Sequence, residues 1–273
     1  MEKKLILRGL FAGAVGGLAA WIFALLFAEP LIDRAVAYED GRAAAQDALD
    51  RAAGFATPVE NGGDIVSRGV QSTIGLGVGL LAFGLAMGAL FAVAYTVCLG
   101  RTGGIRARQL SLLLAGAGFV VVFLVPFLKY PANPPAVGND ATIDDRAEYF
   151  LLMLIASLLI AVLATAAGQQ LRPRFGTWNA ALLGIGGYLA AVAVVMLVLQ
   201  DIAEVPAPLV DSRGTIVFAA FPADVLADFR VYAIGAQVVL WSAIGLVFAP
   251  LADRLLASGR RPAVSPPRET AGI

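Results

Sequence analysis

Six stretches of this chain are apolar over roughly the 20 residues that a helix needs to cross the core of a bilayer. They are residues 5–28, 70–99, 110–128, 149–171, 178–199 and 231–251. Only Arg8 places a charge within them, one turn from an end where its stem can carry the guanidinium to the headgroups. Lipid offers no partner to a bare N–H or C=O, so each stretch has to satisfy its own backbone, and a helix does so. The expected fold is an all-α integral membrane protein, a bundle of six transmembrane helices. Composition agrees: 59% of the residues are hydrophobic, 15% are charged, and the mean hydropathy is +0.80. Little chain remains for a separate soluble domain, so residues 1–257 read as one transmembrane domain. Residues 258–273, Pro-rich and basic, read as a disordered tail. The first stretch is too long for the apolar part of a cleaved signal and is expected to be retained.

With six crossings both termini share a side. Twelve of the 20 Lys and Arg residues fall on that side, at the two chain ends and in two short connections, whereas 17 of the 20 Asp and Glu residues fall on the other. The positive-inside rule then puts both termini in the cytoplasm and gives the outer surface long acidic loops, at 29–69, 129–148 and 200–230. Such a surface attracts cations. The lone cysteine, Cys98, lies in an apolar stretch and reads as a small buried hydrophobe.

Glycines repeat every four residues at Gly9, Gly13 and Gly17, at Gly75 and Gly79, and at Gly84 and Gly88. This spacing lets helix backbones meet closely in lipid. The denser set Gly75, Gly77 and Gly79 could instead turn carbonyls toward a pathway, with Gln71, Ser72, Thr73, Gln237 and Ser242 as polar groups beside it.

The outer helix ends carry the chemistry. Glu29 closes the first helix and Lys129 the third; both emerge at one level with opposite signs, so they are expected to pair. Asp33 follows Glu29 by one turn. Asp144 and Glu148, four apart, precede the fourth helix behind Thr142, a plausible N-cap, and Asp224 and Asp228 precede the sixth. Acids at helix N-termini are favourable for structure alone. Read as function, they capture a cation through carboxylate oxygens, with Tyr130, Asn133 and carbonyls completing the shell. The stretch LKYPANPPAVG sets Pro131, Pro134 and Pro135 beside Lys129, which makes a stiff lip where the lysine acts either as a gate or as an interfacial anchor. The chain has no histidine, so any site of its own is oxygen-rich, or a partner completes it.

Other functions are excluded or disfavoured. No G-x-x-x-x-G-K-[ST] occurs, so this chain does not hydrolyse ATP through that loop. No Asp, Glu or His stands in the apolar stretches, which argues against both an intramembrane enzyme and a proton relay. A facilitator driven by membrane potential, a non-transporting scaffold and a sensor subunit remain.

The segments FAEPLIDRAVAYE, LKYPANPPAVG and FPADVLADFRVYAIGAQ, in the order and spacing of their helices, resemble the CbtA family, the larger membrane subunit of a bacterial cobalt transporter. The resemblance implies a plasma-membrane protein that takes up cobalt(II) for cobalamin biosynthesis, with no tightly bound cofactor and no nucleic-acid partner. It also implies a small CbtB-like membrane partner with a histidine-rich end. It brings no ligand residues with it. FAEPLIDR after the first helix and FAPLADR in the last hint at an inverted three-plus-three repeat.

Overall fold

The computed structural model describes residues 2–55, 67–101, 103–138 and 141–258. Beyond Ser258, the expected disordered tail lies outside them. Helix α1 spans Glu2–Phe27, α2 Glu29–Ala52, α3 Arg68–Cys98, α4 Ala107–Lys129, α5 Ile143–Val198 and α6 Ala223–Ser258. Five of these, all but α2, are long and apolar enough to cross a membrane.

The 56 residues of α5 would measure about 84 Å as one straight rod, far more than a bilayer core. The rod breaks at Gly176, whose φ of 75° and ψ of 166° suit glycine and few other residues. Its two arms then fold back on each other. A Cβ on Gly168 would lie 3.3 Å from the Ala180 carbonyl oxygen, and one on Gly184 would lie 3.1 Å from that of Ala164. As one position rises along the first arm, its neighbour falls along the second, which is the register of an antiparallel hairpin.

The three helices α1, α3 and α6 meet through small residues. Gly9 lies against Gly88, Gly13 against Gly84 and Gly17 against Leu80, an antiparallel contact of backbone on backbone. Gly16 receives Leu240 and Ile244 of α6. Arg8 donates to the Leu251 carbonyl at 2.6 Å, so the one charge inside the apolar stretches is held at the end of α6. Helix α4 joins on the far side of α6, where the Ser111 hydroxyl donates to the Gly245 carbonyl at 2.9 Å. Phe91 and Tyr95 meet Phe248 edge to face. The spacing of Gly84 and Gly88 therefore serves packing. Of the denser set, Gly77 faces the Trp21 indole, Gly75 stands in ordinary contact with the Val70 carbonyl, and Gly79 faces open space.

Two helices widen locally to π geometry, α3 at Gln71–Gly75 and α4 at Phe119–Leu124. In α4 the cause is Pro126, which brings no N–H to the carbonyls one turn earlier, that of Val122 at α spacing or Val121 at π spacing. The Ser157 hydroxyl supplies Val121 with a donor at 2.8 Å.

The acidic connections have more structure than their polarity suggested. Residues 29–52, read from sequence as part of a loop, form α2. Their run of Ala, Leu, Gln, Glu and Arg favours a helix, and Pro30 sits in the first turn, where its missing N–H costs nothing. Leu31 and Ala35 are buried against Val137, Phe221, Val225 and Leu226, which docks α2 onto the lip and the start of α6. Within 200–222, the strands β1, Leu209–Val210, and β2, Ile216–Phe218, pair antiparallel around a turn that the Asp211 carboxylate holds.

Candidate functional site

Several of the charged groups at the lip end of the bundle are already paired. Glu29 stands where α1 breaks into α2 at Ala28, and it is 9% exposed. Its carboxylate accepts a hydrogen bond from Arg68, the first residue of α3, and the same guanidinium nitrogen reaches Asp33 at 3.0 Å. Burial pushes the Glu29 carboxyl above its ordinary value, Arg68 opposes this, and Asp33 adds to it.

The expected pairing of Glu29 with Lys129 does not form. Lys129 bonds instead to Asp201, just past the end of α5, and lies over the Tyr130 ring at 5.9 Å. Depth matched the two residues, but depth says nothing about their position around the bundle. Each found an opposite charge on its own side.

The proline lip is fastened from below. Tyr130 donates to the Gln200 carbonyl at 2.7 Å and stacks on Tyr149. Burial raises its phenol further from ionisation, and Asp201 and Tyr149 add to the effect. Asn133 donates to Glu204 at 2.9 Å and accepts from Arg230 at 2.9 Å. Arg230 reaches the Ala132 carbonyl and Arg146 the Pro131 carbonyl. At the centre is Glu204, its side chain 3% exposed, which receives Arg146, Asn133 and the Thr142 hydroxyl. Thr142 thus holds the N-cap position of α5 without capping it, because its hydroxyl is turned to Glu204. Beside Glu204 opens a cavity of about 610 Å³, also lined by Glu39, Arg42, Val137 and Pro206.

The other candidates are spread around the rim. Asp224 pairs with Arg34 at 2.8 Å, both more than half exposed. Asp144, Glu148 and Asp228 are exposed. Among the described residues, no three His, Cys, Asp or Glu side chains converge so as to hold a metal ion. Thr73 bonds back to the Gly69 carbonyl, and its own carbonyl accepts from Trp21, so with Gln71 it belongs to the π turn of α3. The side-chain oxygen of Gln237, in α6, is buried without a partner.

Sequence reasoning missed Glu204 and the three arginines, Arg68, Arg146 and Arg230, that organise the rim. A signal was present, since Glu204 is the one acid in an apolar, Pro-bounded run, IAEVPAP. A charge in such a run needs a buried partner.

A family model described as "Probable cobalt transporter subunit (CbtA)" matches residues 2–253. No curated protein and no solved structure matches the chain.

Proposed function

Because the chain belongs to the CbtA family of probable cobalt transporter subunits, we propose that it is the membrane subunit through which a divalent cation, cobalt(II), is taken up. It crosses the membrane six times, the α5 hairpin counting as two, with both termini in the cytoplasm and the rim of Glu29, Lys129 and Glu204 outside. The observation that carries this reading is the division of charge along the sequence: the apolar stretches carry no ionised group at mid-membrane, and the connections on one side of them hold 17 of the 20 acids.

Asp144, Glu148 and Asp228, exposed and free of the arginine pairs described above, meet the cation first. Glu29, Asp33 and Asp224 are held by Arg68 and Arg34 until it arrives, and Tyr130 and Asn133 offer neutral oxygens at the lip. A bound cation competes with the guanidinium for the same carboxylate, which keeps affinity low and lets the ion leave. A small partner with a histidine-rich end supplies the imidazoles that this chain lacks. Inward movement of two charges across about 100 mV releases roughly 4.6 kcal/mol, enough for accumulation beyond a thousandfold without a nucleotide.

Uptake of cobalt by cells making Glu29→Gln or Asp228→Asn tests the rim. Both lie outside the hydrocarbon, so insertion stays normal while uptake falls. Normal uptake in both variants would discard the capture role. One observation favours a scaffold subunit instead, the lack of three converging ligands among the described residues. A scaffold would leave cobalt influx unchanged when the chain is removed.

A further inference from the structure

An ion crossing this protein needs a route between helices that offers it oxygens. Between α1 and α3 the backbones touch at Gly9, Gly13 and Gly17. Between α4 and α6, beside the Ser111 bond to Gly245, a cavity of about 400 Å³ is lined mostly by apolar groups, Leu112, Phe119, Val238, Trp241 and Leu246, with Ser242 its one hydroxyl. The seam between α4 and the α5 hairpin differs in gathering several oxygens at one depth.

At its middle the Tyr188 hydroxyl lies 2.8 Å from that of Ser157, and Ser157 lies 2.8 Å from the Val121 carbonyl oxygen. Ser157 is fully buried and Tyr188 is 8% exposed. Val121, Ser157 and Tyr188 each stand near the centre of an apolar stretch. Three oxygens from three helical segments therefore meet at mid-membrane. Toward the lip the seam is sealed by Val125, Tyr130, Met153 and Val192. Toward the terminal end it opens into a cavity of about 330 Å³, headed by Val121 and Tyr188, with Thr165 in its wall and Ile105, Gln169 and Arg172 at its mouth.

We propose that this seam is the cation path, that the Val121 carbonyl with the Ser157 and Tyr188 hydroxyls is its mid-membrane relay site, and that the structure shows the path open toward the termini. The proposal rests on the uptake reading. Divalent cations accept carbonyl and hydroxyl oxygens, and water in the cavity completes the coordination. Neutral ligands bind weakly, as a relay requires. The π turn of α4 is what frees the Val121 oxygen for this use, since Pro126 gives it no N–H. Closing the lower seam and parting the upper one, by rocking the hairpin against α4, would turn the same three oxygens to the lip.

The test uses single cysteines in the Cys98→Ala chain, held in inside-out membranes with a charged, membrane-impermeant thiol reagent. Ala161→Cys and Ala164→Cys line the seam, while Leu163→Cys, between them in sequence, is 67% exposed on the apolar surface. Expected is labelling of positions 161 and 164 well ahead of 163, slowed by cobalt(II) alone. Tyr188→Phe and Ser157→Ala, each removing one oxygen, should lower cobalt uptake by about tenfold with labelling of 161 and 164 retained. Labelling of the seam no faster than at 163, or full uptake in both oxygen variants, overturns the path while leaving uptake by the protein intact. A chain that takes up no cobalt at all refutes the uptake reading instead, and the thiol pattern still decides whether water fills the seam.

Discussion

Gly13→Ala tests whether α1 and α3 are held by backbone contact. The added methyl carbon would stand 2.9 Å from both the Gly84 carbonyl carbon and the Gly88 Cα, and closer still to the Gly84 carbonyl oxygen. Ordinary contact begins near 3.4 Å, so the helices must part by at least half an ångström. Neither obstacle is a side chain that could swing aside. Overpacking of this kind costs about 1–3 kcal/mol. At about 2–4 °C per kcal/mol for a chain of this size, the midpoint in detergent should fall by roughly 2–12 °C. Gly79→Ala on α3 is the control: its methyl meets nothing within 4 Å, and alanine is the better helix former by about 1 kcal/mol. Differential scanning fluorimetry of the two purified variants reads the difference. Equal midpoints for Gly13→Ala and the parent, or a larger drop for Gly79→Ala, would refute the zipper.

Glu29 gives a pH signature. Its folded carboxyl is raised above the ordinary value of 4.5, mainly by burial, so the folded chain holds this proton more tightly than the unfolded one. Its contribution is therefore most favourable below that value and is lost as pH rises through the folded one. The midpoint of the parent minus that of Glu29→Gln should grow as the pH is lowered from about 7 to about 4.5; a difference that shrinks would contradict the burial of this group. Arg146→Ala leaves the buried Glu204 without its cation and should cost about 3–5 kcal/mol, whereas Arg146→Ala with Glu204→Gln should recover part of that loss. Equal midpoints for the single and double variants would show that the pair does not fasten the lip.

The helices were legible because hydrocarbon length and backbone satisfaction leave few choices. Gly9, Gly13 and Gly17 announced a close contact, though only the folded chain identifies Gly84 and Gly88 as what they meet. The short connection expected between residues 149–171 and 178–199 is where the hairpin turns, at Gly176. What sequence did not give was angular position around the bundle. Glu29 and Lys129 matched in depth and sign, yet Arg68 and Asp201 reached them first. Helix α2 escaped notice because its buried stripe is narrow, Leu31 and Ala35 on an otherwise polar surface. Glu204 escaped because its partners Asn133, Thr142 and Arg146 come from segments 58–71 residues away. The Ser157 and Tyr188 hydroxyls, ordinary in an apolar run, gained meaning only when the hairpin set them side by side.

Cobalt(II) flux into proteoliposomes holding the purified chain, alone and with its small partner, addresses uptake most directly. A potassium diffusion potential, negative inside, sets the driving force, and a metal-quenched dye trapped in the lumen reads the ion. Influx well above that of protein-free vesicles, rising as the potential is made more negative and falling in Glu29→Gln, is the expected result. Vesicles that admit no more cobalt than protein-free ones at every potential, with and without the partner, would contradict it.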